Sequence, residues 1–294
     1  MVRDRLLHDM QAKINKEEII NYYDECQVDY EIVWHLKNYM CMHYGYWDET
    51  TPNLRAALNN MNLRLAEYAG IKHGQRVLDA GCGVGGSSIF LARNYECKTV
   101  GITLSDKQVD TCRKNAALHG VSDQCTFQTG NYLETGFPDN SFDVVWGVES
   151  VCYAFDKIDF LKEAYRVLKP GGKVIVADFY HDNVSTASPE WEIMDKWTKT
   201  WAIKSYAGVS SFRNDMRAVG FERCRERDVT ANVLKSIQRL YYSFFPGFVV
   251  TYVGQLLGRR NKLQTANTWS TYYQYKAYKK GLWKYMFFFG TKPL

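Results

Sequence analysis

The stretch VLDAGCGVGGSS, Val77 to Ser88, places Gly81, Gly83 and Gly86 in the spacing G-x-G-x-x-G, with Asp79 two residues ahead of the first glycine. Glycines so spaced make a tight turn that opens a helix, where backbone N–H groups meet an anion or a close-lying ligand. In a nicotinamide enzyme that anion is a pyrophosphate, and an acid about 20 residues further on holds the ribose. Here the chain reads VGITLSDKQ at that distance, and the apolar run ends in Thr103, not an acid. Asp79 would in addition repel a pyrophosphate. The residues point away from a dinucleotide. His43 and His181 are conceivable bases, but each stands alone, and no cluster with metal-ligand spacing is visible.

The elements that must position this loop follow from periodicity. Short apolar runs, RVLDAG, KTVGITL, CTFQTG, FDVVWGV and KVIVADF, alternate with the helical stretches SSIFLARNY, SDKQVDTCRKNAALHG and DKIDFLKEAYRVLKPGG. Ser105 is a natural N-cap and Gly120 a natural C′ residue. That rhythm predicts an α/β fold, a Rossmann-like, mostly parallel sheet with helices on both faces, whose ligands bind at the carboxyl ends of the strands. GFERCRERDV and WKYMFFFGTKP read as two late strands, the last antiparallel. The roughly fifty residues between them include SIQRLYYSFFPGFVVTYVGQLL, too interrupted for a membrane span and better read as a helical cap. The expected organisation is a helical lid over residues 1–70, a core over 71–229, a cap insertion over 230–282 and a final core strand over 283–294.

Bulk properties narrow the class. The 294 residues carry a net charge of +5 and no basic stripe, which gives no reason to expect nucleic acid. The eight cysteines include no C-x-x-C pair and read as reduced thiols. The charged N-terminus resembles no signal peptide, so the expectation is a cytoplasmic, soluble protein. Aromatic residues, 15% of the chain, are the anomaly and favour an apolar ligand.

VLDAGCGVGGSS, GFPDNSFDVVWGVES and LKEAYRVLKPGGKVIVADF together resemble the class I S-adenosylmethionine-dependent methyltransferases over roughly Gly74 to Phe179. HYGYW, GITLSDKQ and the ending AYKKGLWKYMFFFGTKP are similar to the branch of sterol and tocopherol C-methyltransferases and cyclopropane synthases. The resemblance implies S-adenosylmethionine as cofactor. Its phosphate-free amino-acid tail would lie along Gly81, Cys82 and Gly83, with Asp79 attracting the ammonium. Thr103 and Leu104 would pass the ribose and Gln108 bond its hydroxyls. Gly130, Asn131 and Tyr132 would meet the adenine, the Asn131 carbonyl accepting from its amino group and Tyr132 packing on its ring.

On the acceptor side Val148 and Glu149, after the fourth strand, should lie beside the sulfonium, and the resemblance makes Glu149 the catalytic residue. An alkene acceptor would leave a carbocation that a carboxylate and aromatic faces stabilise. Tyr23, Tyr44, Tyr46, Trp47, Tyr153, Trp201 and Tyr206 are the expected substrate contacts. The expected reaction is methylation of carbon on a lipophilic isoprenoid-like acceptor, with peripheral membrane contact through the cap conceivable. Open alternatives are N- or O-methylation of a small metabolite, and methylation of a prenyl diphosphate held by Arg213, Arg217 or GRRNK. From another class come a non-catalytic cofactor-binding protein and an NAD-dependent dehydrogenase.

Overall fold

A computed structural model describes residues 2–181, 185 and 187–294, with side chains described from Lys16 onward. Seven strands form one sheet: β1 (Arg76–Ala80), β2 (Lys98–Thr103), β3 (Cys125–Thr129), β4 (Phe142–Val148), β5 (Leu168–His181), β6 (Glu222–Asp228) and β7 (Trp283–Thr291), in spatial order β3-β2-β1-β4-β5-β7-β6. The first five pair in parallel, while β7 runs antiparallel between β5 and β6. The strands are apolar on both sides because both faces are covered. Val77, Val144, Ile175 and Phe287 enter one core and Leu78, Val145, Val176 and Phe288 the other.

Three helices precede the sheet: α1 (Val2–Val33), α2 (Leu36–Tyr39) and α3 (Leu54–Ala69). Asn53 caps α3 by accepting from the Ala56 N–H, and Gly70 ends it at a φ of 60°. Leu58, Met61 and Leu65 of α3 share a core with Val77 and Ile175, so α3 is a layer of the sheet domain. Helices α4 (Gly86–Tyr95), α5 (Asp106–Leu118), α6 (Lys157–Val167), α7 (Trp191–Thr200) and α8 (Val209–Val219) connect the strands. Ser105 caps α5 and Gly120 follows it at a φ of 69°, as its sequence predicts.

Between β6 and β7 lie the two cap helices, α9 (Thr230–Leu256) and α10 (Lys262–Lys279). They pack on each other, and α10 packs on α1 and α7. Asn261 and Gln264 form a reciprocal capping box that starts α10 sharply. No helix among the described residues is long and apolar enough to cross a membrane.

Candidate active site

At the end of β1 the chain turns through Gly81 at a φ of 92°, and the Gly81 and Cys82 N–H groups both donate to the Ile102 carbonyl of β2. A Cβ at Gly81 would lie 2.4 Å from the Ser150 Cβ, one at Gly83 2.5 Å from the Met42 methyl, and one at Gly86 2.1 Å from the Met40 carbonyl oxygen. The glycines thus let the Met40–Met42 strap and the β4 exit close onto the loop. The sequence reading reserved the Gly81 and Gly83 space for a ligand; Ser150 takes it at Gly81 and the movable Met42 tip at Gly83.

This loop floors a cavity of about 110 Å³. Asp79, Gly81, Cys82, Gly83, Thr103, Leu104, Gln108, Gly130, Tyr132 and Val148 all line it. Asn131 does not: its side-chain oxygen accepts from the Leu133 N–H and closes a local turn beside the cavity. Thr103 donates to the Gln108 Oε1 at 2.5 Å, which leaves the Gln108 amide nitrogen as the group with donors to spare. Asp79 is buried, and its Oδ2 accepts from the Ser88 hydroxyl at 2.6 Å. Burial pushes its pKa up to about 6 against the Ser88 bonds.

Glu149 stands just past β4 at a φ of 49°, a conformation that costs a side-chain-bearing residue energy and turns this carboxyl into the sheet's carboxyl edge. Its Oε1 accepts from the Tyr44 N–H at 2.6 Å and from the Tyr285 hydroxyl at 2.7 Å. Desolvation outweighs both bonds and pushes its pKa up to about 8. Nearby, Asp178 at the end of β5 accepts from the Cys152 N–H at 2.8 Å, and the buried Lys157 ammonium donates to the Cys152, Ala154 and Ser205 carbonyls. These two residues fix the short 3-10 turn Val151–Tyr153, and with it the Tyr153 ring. Sequence reasoning missed both, although Asp178 is a charged residue within the apolar run VIVADFY.

Glu149 also lines a second, larger cavity of about 340 Å³ beneath the cap. Its deep end is aromatic, with Tyr30, Trp34, Tyr153, Phe179 and Trp201, and its roof is Leu240, Pro246, Gly247 and Val250 of α9. Tyr23 and Met42 line both cavities. Of the expected substrate contacts, Tyr23, Tyr153 and Trp201 face this space. The other four do not. Tyr44 is stacked between Trp34 and Tyr285 and reaches the site only through its N–H. Tyr46 packs on Phe287, and Tyr206 is buried against Trp197 and Phe179. Trp47 donates its indole N–H to Ser236 and lies under Lys235. HYGYW is a strap tying α3, α9 and β7 together, and of its five residues His43 alone lines the smaller cavity. His43 is buried, and its Nδ1 bonds the Tyr44 carbonyl; burial lowers its pKa to about 4, so it is neutral.

The charges of both cavities select their ligands. Among the described residues no lysine or arginine lines the smaller one, while Asp79 and Glu149 do. That donor set fits a cationic ligand with an ammonium and a sulfonium and repels a pyrophosphate, so the residues suit S-adenosylmethionine and not a dinucleotide. At the rim of the larger cavity Arg260 is held by both Asp29 oxygens, at 2.7 and 2.8 Å. Arg213 is paired with Glu226 on the far face and Arg217 is exposed on α8; neither lines a cavity.

A strand-order 3-2-1-4-5-7-6 sheet with a glycine turn after β1 and a carboxylate-lined cavity at the strand ends defines the class I methyltransferase architecture. Comparison with known proteins agrees. A family model described as a methyltransferase domain matches residues 78–176. A probable chloroplastic tocopherol O-methyltransferase of Oryza sativa subsp. japonica is 32% identical over 74% of this chain and 63% of its own length. The sterol 24-C-methyltransferase erg6 of Aspergillus fumigatus is 30% identical over 71% of this chain and 55% of its own length. The chain thus spans less than two thirds of these relatives. Among solved structures, the [4+2]-cyclase SpnF superposes with a TM-score of 0.79 at 22% identity, covering 95% of this chain and 97% of that one. Residues 78–176 of this chain thus form a methyltransferase domain, and the chain as a whole shares its fold with the superposed structure.

Proposed function

We propose that this chain methylates carbon of a neutral, lipophilic, isoprenoid-like acceptor, with Glu149 as its catalytic residue. The observation that carries the reading is the position of Glu149: one carboxyl forms a wall of both the small carboxylate-lined cavity and the larger aromatic one. Asp79 would attract the cofactor's ammonium, the Gln108 amide its ribose hydroxyls, and Leu104, Tyr132 and Val148 would flank its flat apolar parts. Bound S-adenosylmethionine supplies an electrophilic methyl group, whose bond to sulfur breaks with the electron pair going to sulfur.

Tyr30, Trp34, Tyr153, Phe179 and Trp201 hold the acceptor, exclude water and present ring faces to the positive charge that methylation leaves on the neighbouring acceptor carbon. Glu149 stabilises that charge and accepts the C–H proton whose departure restores the double bond. At neutral pH a carboxyl with a pKa of about 8 is mostly protonated, and a cation alongside draws it into the charged form that this role needs.

The neutral character of the acceptor is supported by the pairing of Arg260 with Asp29, which leaves the larger cavity no free cation for a diphosphate among the described residues. The eight cysteines are all free thiols, which supports a reducing compartment such as the cytoplasm. A screen by product mass with methyl-labelled cofactor tests the reading. Prenylated phenols and sterols should gain one methyl on carbon, whereas methylation confined to amines or to prenyl diphosphates would overturn it.

A further inference from the structure

Among the described residues nothing covers the outward face of α9. Tyr242, Phe245, Val249, Tyr252 and Leu256 recur at helical spacing of three and four, with Val253 beside them, and all are exposed, Val249 at 60% and Leu256 at 86%. A row of large apolar side chains in water is unfavourable for a monomer unless something covers it. The charge of the same region is one-sided. From Thr230 to Lys280 the cap carries eight lysines and arginines and no aspartate or glutamate, although the whole chain is only +5. Arg259 and Lys262 stand exposed where the apolar row ends. The mouth of the larger cavity opens here too. Val250 of α9 and Ile32 of α1 line that cavity and are 64% and 66% exposed.

We propose that this face of α9 docks on an anionic lipid bilayer and turns the mouth of the larger cavity toward the membrane, so that the acceptor enters from the lipid phase. The apolar row sinks into the headgroup region and the cap's cations meet anionic headgroups, while α9 lies along the surface without crossing it. The docking half stands on surface residues alone; the loading half rests on the reading of the larger cavity as the acceptor site.

The test is co-sedimentation of the full chain with phosphatidylcholine vesicles, with and without about 30 mol% phosphatidylglycerol. The chain should bind the anionic vesicles about tenfold or more tightly than the neutral ones. The double variant Val249→Glu/Leu256→Glu should lose about tenfold or more of that binding while keeping its melting temperature and its affinity for S-adenosylmethionine. Arg259→Glu/Lys262→Glu should lose binding to anionic vesicles alone. Its methyl transfer to detergent-solubilised acceptor should stay intact while transfer to the same acceptor in anionic vesicles falls. An unaltered rate in vesicles overturns the loading half without touching the docking half. Absence of vesicle binding by the wild-type chain, or binding indifferent to both double variants, overturns the docking. So does a wild-type dimer in light scattering that Val249→Glu/Leu256→Glu dissociates, because a second copy then covers the face.

Discussion

On the sheet side, the small cavity is built from backbone: a left-handed turn at Gly81, two N–H groups on one carbonyl, and the capped start of α5. On the cap side, the larger cavity is built from side chains brought together by helices far apart in the chain, with rings from α1, β5 and the segment after α7 under a roof from α9. The first construction is local and leaves little freedom in what binds. The second sets size and polarity through residues that can be exchanged without disturbing the sheet. A fold of this kind can keep its methyl donor and change its acceptor.

The wall between the two regions is the place to break the comparison. Replacing Glu149 by Gln keeps the shape and removes the charge, so turnover at saturating acceptor should fall by about 10²-fold or more while cofactor affinity changes only a few-fold. Turnover within about threefold of wild type would remove Glu149 from the chemistry.

The sheet side should answer next. Asp79→Asn can still accept from Ser88 but loses its charge, which should weaken S-adenosylmethionine by about 1.5–3 kcal/mol, roughly tenfold or more, in calorimetry. An unchanged dissociation constant would detach Asp79 from the cofactor. The cap side should respond in the other parameter. Trp201→Ala is expected to raise the acceptor KM about fivefold to tenfold with cofactor affinity intact, since Trp201 lines only the larger cavity.

Proton linkage gives a subtler reading of the same wall. The folded pKa values of about 8 for Glu149 and about 6 for Asp79 and Asp178 lie above those of unfolded carboxylates, near 4. The folded chain therefore binds more protons than the unfolded one across this window. These three groups contribute stability below about pH 4, and that contribution is lost as pH rises through 6 and then 8. A bound cation lowers the pKa values again, so cofactor binding at pH 7 should release up to about one proton, seen as a buffer-dependent enthalpy. Glu149→Gln should abolish most of that release. The smallest effect is expected at the strap: Trp47→Phe loses its bond to Ser236, costing about 1 kcal/mol of stability, and should leave the acceptor KM within about twofold.

How much of this was legible follows the same divide. The glycine turn, the caps at Ser105 and Gly120 and the strand rhythm are local signals, and ten of the eleven residues expected around the cofactor line one cavity. Asn131 lies outside that cavity, since an asparagine side chain bonds its own backbone two residues on as readily as it bonds a ligand. On the cap side aromatic content announces burial but not which side of a wall each ring takes, so the rings of Tyr44, Tyr46, Trp47 and Tyr206, expected at the acceptor, face neither cavity. Tyr285 and the Asp29–Arg260 pair left no local trace, since their partners lie 136 and 231 residues away in the chain.

The hydroxyl of Tyr285 on Glu149 has a consequence for how the edge of the sheet and this carboxyl move together. Tyr285 belongs to β7, which slots between β5 and β6. Were β7 to peel from β5, the Glu149 carboxyl would lose one of its two hydrogen-bond donors and a wall that keeps water out. A loosening of this strand is therefore felt at once as a change in the hydration and proton affinity of Glu149.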